Sequence, residues 1–217
     1  MASIIGIVQV KGGVGRSTIA TNLAAYLAME APTALVDCDL PQGTSASWYE
    51  LRRKSVPVDR LTLATAVDHA ELVAVCSRLL SDHVYIVIDA PPRLAEMTRA
   101  AIVMSRLCLI PLGASAAEVW STADLIRIIA EARQFRHDVD ARLVWNRFRS
   151  FTREAQDLSD IVGRELGMPE LASRLGYRVS YSEALARGLT VREWPDRTAR
   201  LEMAHLVDEI KGIMGRG

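Results

Sequence analysis

The chain has 217 residues, 50% of them apolar, enough to bury one sizeable core. Its 26 basic and 26 acidic side chains cancel, so no global field draws it to nucleic acid or to an anionic membrane, and any such binding has to come from a local patch. Three cysteines, Cys38, Cys76 and Cys108, are an odd number, widely spaced and set in apolar runs, which argues against a disulfide framework or a CxxC metal site and fits a reducing, cytoplasmic setting.

In chain order, MASIIGIVQV is apolar but lacks a basic leader and runs into a glycine loop, so residues 4–10 read as a buried strand and not as a signal peptide. The loop itself is KGGVGRST, Lys11 to Thr18, and the apolar spacing of Ile19, Leu23, Tyr26 and Leu27 after it has the helical period. Strands are expected at 33–36, 61–64, 84–88, 107–112 and 142–145, with a helix over 69–80 and another through Leu125, Ile128, Ile129 and Ala132. Beyond residue 150 the pattern turns helical with little strand and ends in a helix near 196–214. No linker or repeat divides the chain, and no apolar run approaches the roughly 20 residues that a membrane-spanning helix needs. Alternating strand and helix predicts one α/β domain over residues 1–217, a mostly parallel twisted sheet covered on both faces by helices, with ligands at the carboxyl ends of its strands.

The motifs fall at those ends. Gly12, Gly13 and Gly15 let the backbone turn with positive φ and approach an anion, and the helix that follows adds its N-terminal amides, which makes residues 11–18, Val14 included, a phosphate cradle. In the usual P-loop a lysine and then a hydroxyl residue follow the last glycine; here the places are held by Arg16 and Ser17. The second strand ends in VDCD, with Asp37 and Asp39, and the strand at 84–88 ends in Asp89 followed by APP. Carboxylates beside a phosphate loop are where a nucleotide-bound Mg²⁺ and an attacking water are held.

Together the early lysine, the Asp-x-Asp strand end and the IDAPP strand end resemble the deviant Walker A ATPases of the ParA/MinD family, most like the short ParA type that segregates plasmids. The resemblance covers nearly the whole chain and implies an ATP/ADP and Mg²⁺ site on a P-loop fold. It implies that Lys11 reaches across an ATP-bound homodimer to the partner's phosphates, that Arg16 stabilises phosphate charge, and that Asp39 orients the attacking water. By the same resemblance Ser17 and Asp89 hold Mg²⁺ and Asp37 supports the metal or the water. Asn146, at the end of LVWNR, matches the adenine-contacting asparagine, although an asparagine after a strand also serves as a turn former. The chain departs from the family at Arg16, where a longer planar guanidinium replaces an ammonium, and at Leu40, which separates Asp39 from Pro41 and Gln42.

The resemblance further implies nonspecific DNA binding, nucleoid association in the ATP state, no membrane binding, and a ParB-like or cargo-adaptor partner that triggers release. Arg174, Arg178, Arg187, Arg192, Arg197 and Arg200 are the candidate DNA contacts; a solvated helical face explains the same arginines equally well. Trp48, Trp120, Trp145 and Trp194 read as packing residues, Cys38 as filler of the second strand's buried face, and the scattered histidines lack zinc spacing. The expected function is partition of plasmid or chromosomal DNA. The alternatives are a nucleotide-regulated scaffold that positions a protein cargo with little hydrolysis, and a MinD-like membrane cycler. The last should end in a basic amphipathic helix, whereas the terminal helix carries Glu202, Asp208 and Glu209.

Overall fold

The structure is a computed structural model and describes residues 2–92, 96–149, 152–153, 157–158, 162 and 165–215. Seven parallel strands form one sheet in the order β3-β2-β4-β1-β5-β6-β7. They are β1 (Ser3–Ile7), β2 (Thr33–Asp37), β3 (Leu61–Thr65), β4 (Tyr85–Asp89), β5 (Leu107–Leu112), β6 (Asp140–Phe148) and β7 (Glu170–Gly176). The described helices are α1 (Arg16–Ala28), α2 (Thr44–Ser55), α3 (His69–Leu79), α4 (Glu96–Met104), α5 (Ala116–Phe135), α6 (Val179–Leu185) and α7 (Arg197–Met214). The alternation predicted from the sequence is therefore the architecture found, and the central strand β1 lies where the strand order reverses, the crevice in which open α/β sheets bind ligands.

Strands buried on both faces explain why the sequence shows unbroken apolar runs there. On one face Val36, Ile88 and Ile110 pack with Leu72, Ile102 and Ile129 of α3, α4 and α5. On the other, Leu35, Val87 and Leu109 pack with Leu23 of α1, Trp48 of α2 and Met203, Leu206 and Ile210 of α7. Each such branched or aromatic side chain contributes about 1.5–3 kcal/mol by leaving water.

The expected strand at 4–10 pairs as a ladder only to Ile7; residues 8–10 run on as the approach to the loop, with Val8 N–H still donating to Leu109 O at 3.0 Å. The expectation of little strand beyond residue 150 is corrected by β7. Its sequence ELASRLG buries only Leu171 and Leu175, because it is an edge strand paired to β6 alone with shifted register. Its outer amides are covered by α7: Glu209 accepts from Ala172 and Ser173 N–H at 2.8 Å each, and Glu202 accepts from Gly176 N–H at 3.0 Å. The acidic residues of the last helix thus close a sheet edge that would otherwise template pairing with another chain.

The C-terminal layer is fastened to α2 by Arg52, whose guanidinium reaches Glu193 at 2.8 Å and Gly188 O at 3.2 Å. Gly188 has φ 71° and lies so close that an added Cβ would meet the Arg52 backbone nitrogen at 2.4 Å. Gly188→Ala is therefore expected to cost about 3 kcal/mol, from the left-handed backbone and the clash together. At this chain length that lowers the thermal midpoint by about 6–12 °C in a melt of the nucleotide-free protein.

Candidate functional site: a phosphate loop facing two buried aspartates

Three strand ends meet at the crevice. β1 delivers the glycine loop, β2 delivers Asp37 and Asp39, and β4 delivers Asp89, which lies opposite Ile7 on one side and opposite Asp37 on the other. Gly13 and Gly15 have φ 76° and 91°, the positive-φ turn expected of them, whereas Gly12, for which the same was expected, does not adopt it. α1 begins directly at Gly15 with no side-chain cap, which leaves its first amides turned toward the crevice. Gly15 also has no room for a side chain, since a Cβ would lie 2.2 Å from Asn146 Nδ2.

The two inner aspartates do different work. Asp37 is fully buried and accepts the Asp39 N–H at 3.0 Å and the Ala46 N–H at 2.8 Å, so it shapes the Asp39 loop and caps the first turn of α2. Burial raises its pKa and those amides oppose the rise. Asp89 is fully buried too; its Oδ2 accepts from Ser45 Oγ at 2.7 Å, while Oδ1 has no hydrogen-bond partner. Burial pushes its pKa up to about 7, with the Ser45 and Ser17 hydroxyls and the Arg16 charge pulling the other way and Asp37 adding to the rise. A buried oxygen without a partner beside two hydroxyls is what a hydrated divalent cation would satisfy, so the donor set fits Mg²⁺.

Arg16 points inward. Its Nε donates to Ala90 O at 2.8 Å and its Nη1 to Gln9 O at 2.8 Å and Lys11 O at 2.7 Å, while Nη2 lies 3.6 Å from Asp39 Oδ2. Only 6% exposed, the guanidinium braces both ends of the loop against the end of β4. Burial lowers its pKa and the Asp89 and Asp39 charges raise it. Lys11 stands on the outer side of the loop, its ammonium 3.6 Å from Glu118 on α5. Asn146 lies under the loop, with Nδ2 donating to Val14 O at 2.7 Å and Oδ1 accepting from Arg147 N–H at 3.0 Å.

Two clefts open on either side of Gly15 and Thr18. One, of about 380 Å³, is lined by the loop, Asp39, Gln42 and Arg147. The other, of about 190 Å³, runs from Asn146 and Arg147 to Gly176, Tyr177, Val179 and Tyr181. The predicted Gly12, Gly13 and Gly15 to Thr18, with Asp37, Asp39, Asp89 and Asn146, are thus brought to one crevice, whereas Lys11 is turned to Glu118 and lines neither cleft. Sequence reasoning passed over Ser45, which holds Asp89, and Gln9, whose amide donates to Pro111 O at 3.2 Å and Thr122 Oγ1 at 3.0 Å to fix the start of the loop. A hydroxyl six residues after Asp39 was the only signal for the first, and a polar residue inside an apolar strand for the second.

Of the six candidate arginines, Arg178 lines the smaller cleft and the other five line neither cleft. Arg178 is bound to Glu202 at 2.7 Å, Arg174 stacks over Phe148 at 4.7 Å and Arg187 over Trp194 at 4.8 Å. Arg192 reaches the Met29 sulfur at 2.7 Å and Arg200 the Trp194 carbonyl at 3.2 Å, and Arg197 is exposed in the first turn of α7. Trp48 and Trp145 are core residues as predicted, but Trp120 is 75% exposed on α5, which corrects its assignment to packing. Cys38 is buried just beyond the end of β2.

Comparison with known proteins agrees with this geometry. A model described as the CobQ/CobB/MinD/ParA nucleotide binding domain matches residues 5–191. The chain is 27% identical over 212 residues to a maintenance of carboxysome distribution protein A of Halothiobacillus neapolitanus, covering 96% of each. It is 30% identical to the chromosome-partitioning ATPase Soj of Thermus thermophilus over 155 residues, 59% of this chain and 62% of that one. Among solved structures, an McdA variant from Cyanothece in complex with ATP superposes with a TM-score of 0.77 at 17% identity, over 97% of this chain and 96% of the other. No helix among the described residues is long and apolar enough to cross a membrane.

Proposed function

The chain belongs to the CobQ/CobB/MinD/ParA nucleotide-binding family, and from that premise we propose that it is a nucleotide-switched ATPase that positions a protein assembly. The observation that carries the nucleotide part is the crevice in which an uncapped helix start, Asp39 and the unpartnered Asp89 oxygen face one another. Positioning rests on the similarity to a carboxysome distribution protein, 27% identical over 96% of each chain, against 24% for the chromosome-partitioning ATPase Soj of Treponema pallidum over 92% of each. This inverts the order expected from sequence, where DNA partition came first and protein positioning second.

ATP lies with its phosphates on the amides of residues 12–18 and its base in the cleft beyond Asn146. Ser17 and Asp89 are the residues that would hold Mg²⁺, which when bound neutralises phosphate charge; Asp37 holds the Asp39 loop in place. Asp39, 3.6 Å from the braced Arg16 Nη2, orients the attacking water. Hydrolysis is slow, because a braced guanidinium follows the moving charge less readily than a lysine. Lys11, held by Glu118 in the single chain, crosses to the phosphates of a second copy, so ATP closes two chains face to face. The dimer is the state that an adaptor protein reads.

Mass measurement in solution tests this: with ATP and Mg²⁺ the wild type should double in mass, and Lys11→Ala should stay single while still taking up ATP. A wild type that remains single with ATP bound would overturn the dimer. DNA partition is the second reading, supported by the exposed Arg174, Arg187 and Arg197 and by the Soj match. Brisk ATP turnover stimulated by nonspecific DNA and a partner would favour it over the slow positioning switch.

A further inference from the structure

Resting on the nucleotide-binding reading, we propose that Arg147 is the phosphate-contacting cation of this site, in the place that Arg16 cannot fully fill. A guanidinium carries five N–H donors. Three of those on Arg16 are taken by the carbonyls of Gln9, Lys11 and Ala90, and the remaining nitrogen lies 3.6 Å from Asp39. Lys11 is turned to Glu118 and does not line the phosphate cleft. Of the two cationic side chains that do line it, Arg16 and Arg147, only Arg147 has a guanidinium with no hydrogen bond or ion pair among the described residues.

The backbone supports the same assignment. Arg147 has φ 54° and is the one non-glycine residue with positive φ among the described residues. A non-glycine residue held there is strained, and such strain persists where the surroundings fix it and the position is used. What fixes it is Asn146, which bonds the Arg147 N–H with one end of its amide and Val14 O with the other. The loop and the arginine are therefore set by one side chain, and Arg147 stands on the wall shared by the two clefts, beside Gly15 and Thr18. From there it reaches the phosphate chain of a nucleotide whose base lies in the smaller cleft.

Calorimetric titration of ATP with Mg²⁺ into the full chain, repeated with Arg147→Gln, Arg147→Gly and Arg147→Lys, tests the proposal. Loss of a charge-assisted contact weakens binding about tenfold or more in the glutamine and glycine variants, with partial recovery in the lysine variant. Glycine relieves the strained φ, so Arg147→Gly should melt no lower than wild type without nucleotide and yet lose most of the ATP-induced rise in melting temperature. A merely structural arginine gives the opposite pattern. If wild type binds ATP and both Arg147→Gln and Arg147→Gly bind it equally well, the assignment of Arg147 is wrong and the nucleotide site stands; if wild type takes up no ATP, both fall.

Discussion

Gly15→Ala is expected to eliminate measurable ATP binding and to lower the thermal midpoint by about 10 °C. The added methyl would sit 2.2 Å from Asn146 Nδ2, on a backbone with φ 91°. Asn146 cannot step aside, since it is buried and anchored to Val14 O and Arg147 N–H. The left-handed backbone costs about 1–2 kcal/mol and the broken buried amide contact about 1–3 kcal/mol more, which at about 2–4 °C per kcal/mol gives a shift of that size. Asn146→Ala added to Gly15→Ala removes the clash but not the φ penalty, so the double variant should regain part of the stability and none of the binding. Melting curves and calorimetry on the three proteins separate the two effects. Undiminished ATP binding by Gly15→Ala would mean that the loop does not approach the phosphates.

Asp89→Asn is expected to act in opposite directions with and without ligand. The carboxyl's pKa, about 7 in the folded chain, stands above its ordinary value of 3.8 because the site is buried. Between those two values the folded protein keeps a proton that the unfolded chain has released. The metal-free protein should thus lose stability as pH rises from about 4 to 7 and level off above, by on the order of 2–4 kcal/mol. Asparagine carries no charge, so the variant should lose this slope and be the more stable protein at pH 8. With Mg²⁺ and ATP the order reverses, because an amide is a poor ligand for the cation, and turnover should fall at least a hundredfold. Melts at pH 5 and pH 8, with and without Mg²⁺ and ATP, give all four comparisons. A variant less stable than wild type at pH 8 without ligand would mean that Asp89 is charged and satisfied by the protein alone.

Most of this site was legible because its chemistry needs particular residues at strand ends. The glycines, Ser17, Asp39 and Asp89 belong to a pattern that fixes their position along the chain, and the apolar runs before them placed the strands within a few residues. What escaped notice depended on tertiary pairing. β7 looked helical or irregular because an edge strand buries only every fourth residue here, Leu171 and Leu175, and because the side chains that protect it, Glu202 and Glu209, come from another element. The inward turn of Arg16 is invisible in sequence, since it depends on the carbonyl of Ala90, 74 residues away. Arg147 was passed over for a similar reason: nothing local marks the positive φ that Asn146 imposes on it.

The loop at residues 11–18 is proposed to grip a nucleoside triphosphate between its amides and the Asp39 and Asp89 side. A crystal structure of the chain with ATP and Mg²⁺ tests it most directly. Phosphates are expected on the amides of residues 12–18, with a cation beside Ser17 and Asp89 Oδ1 and Arg147 turned onto the phosphate chain. Density for an empty loop at saturating ATP, with no phosphate on its amides, would overturn it.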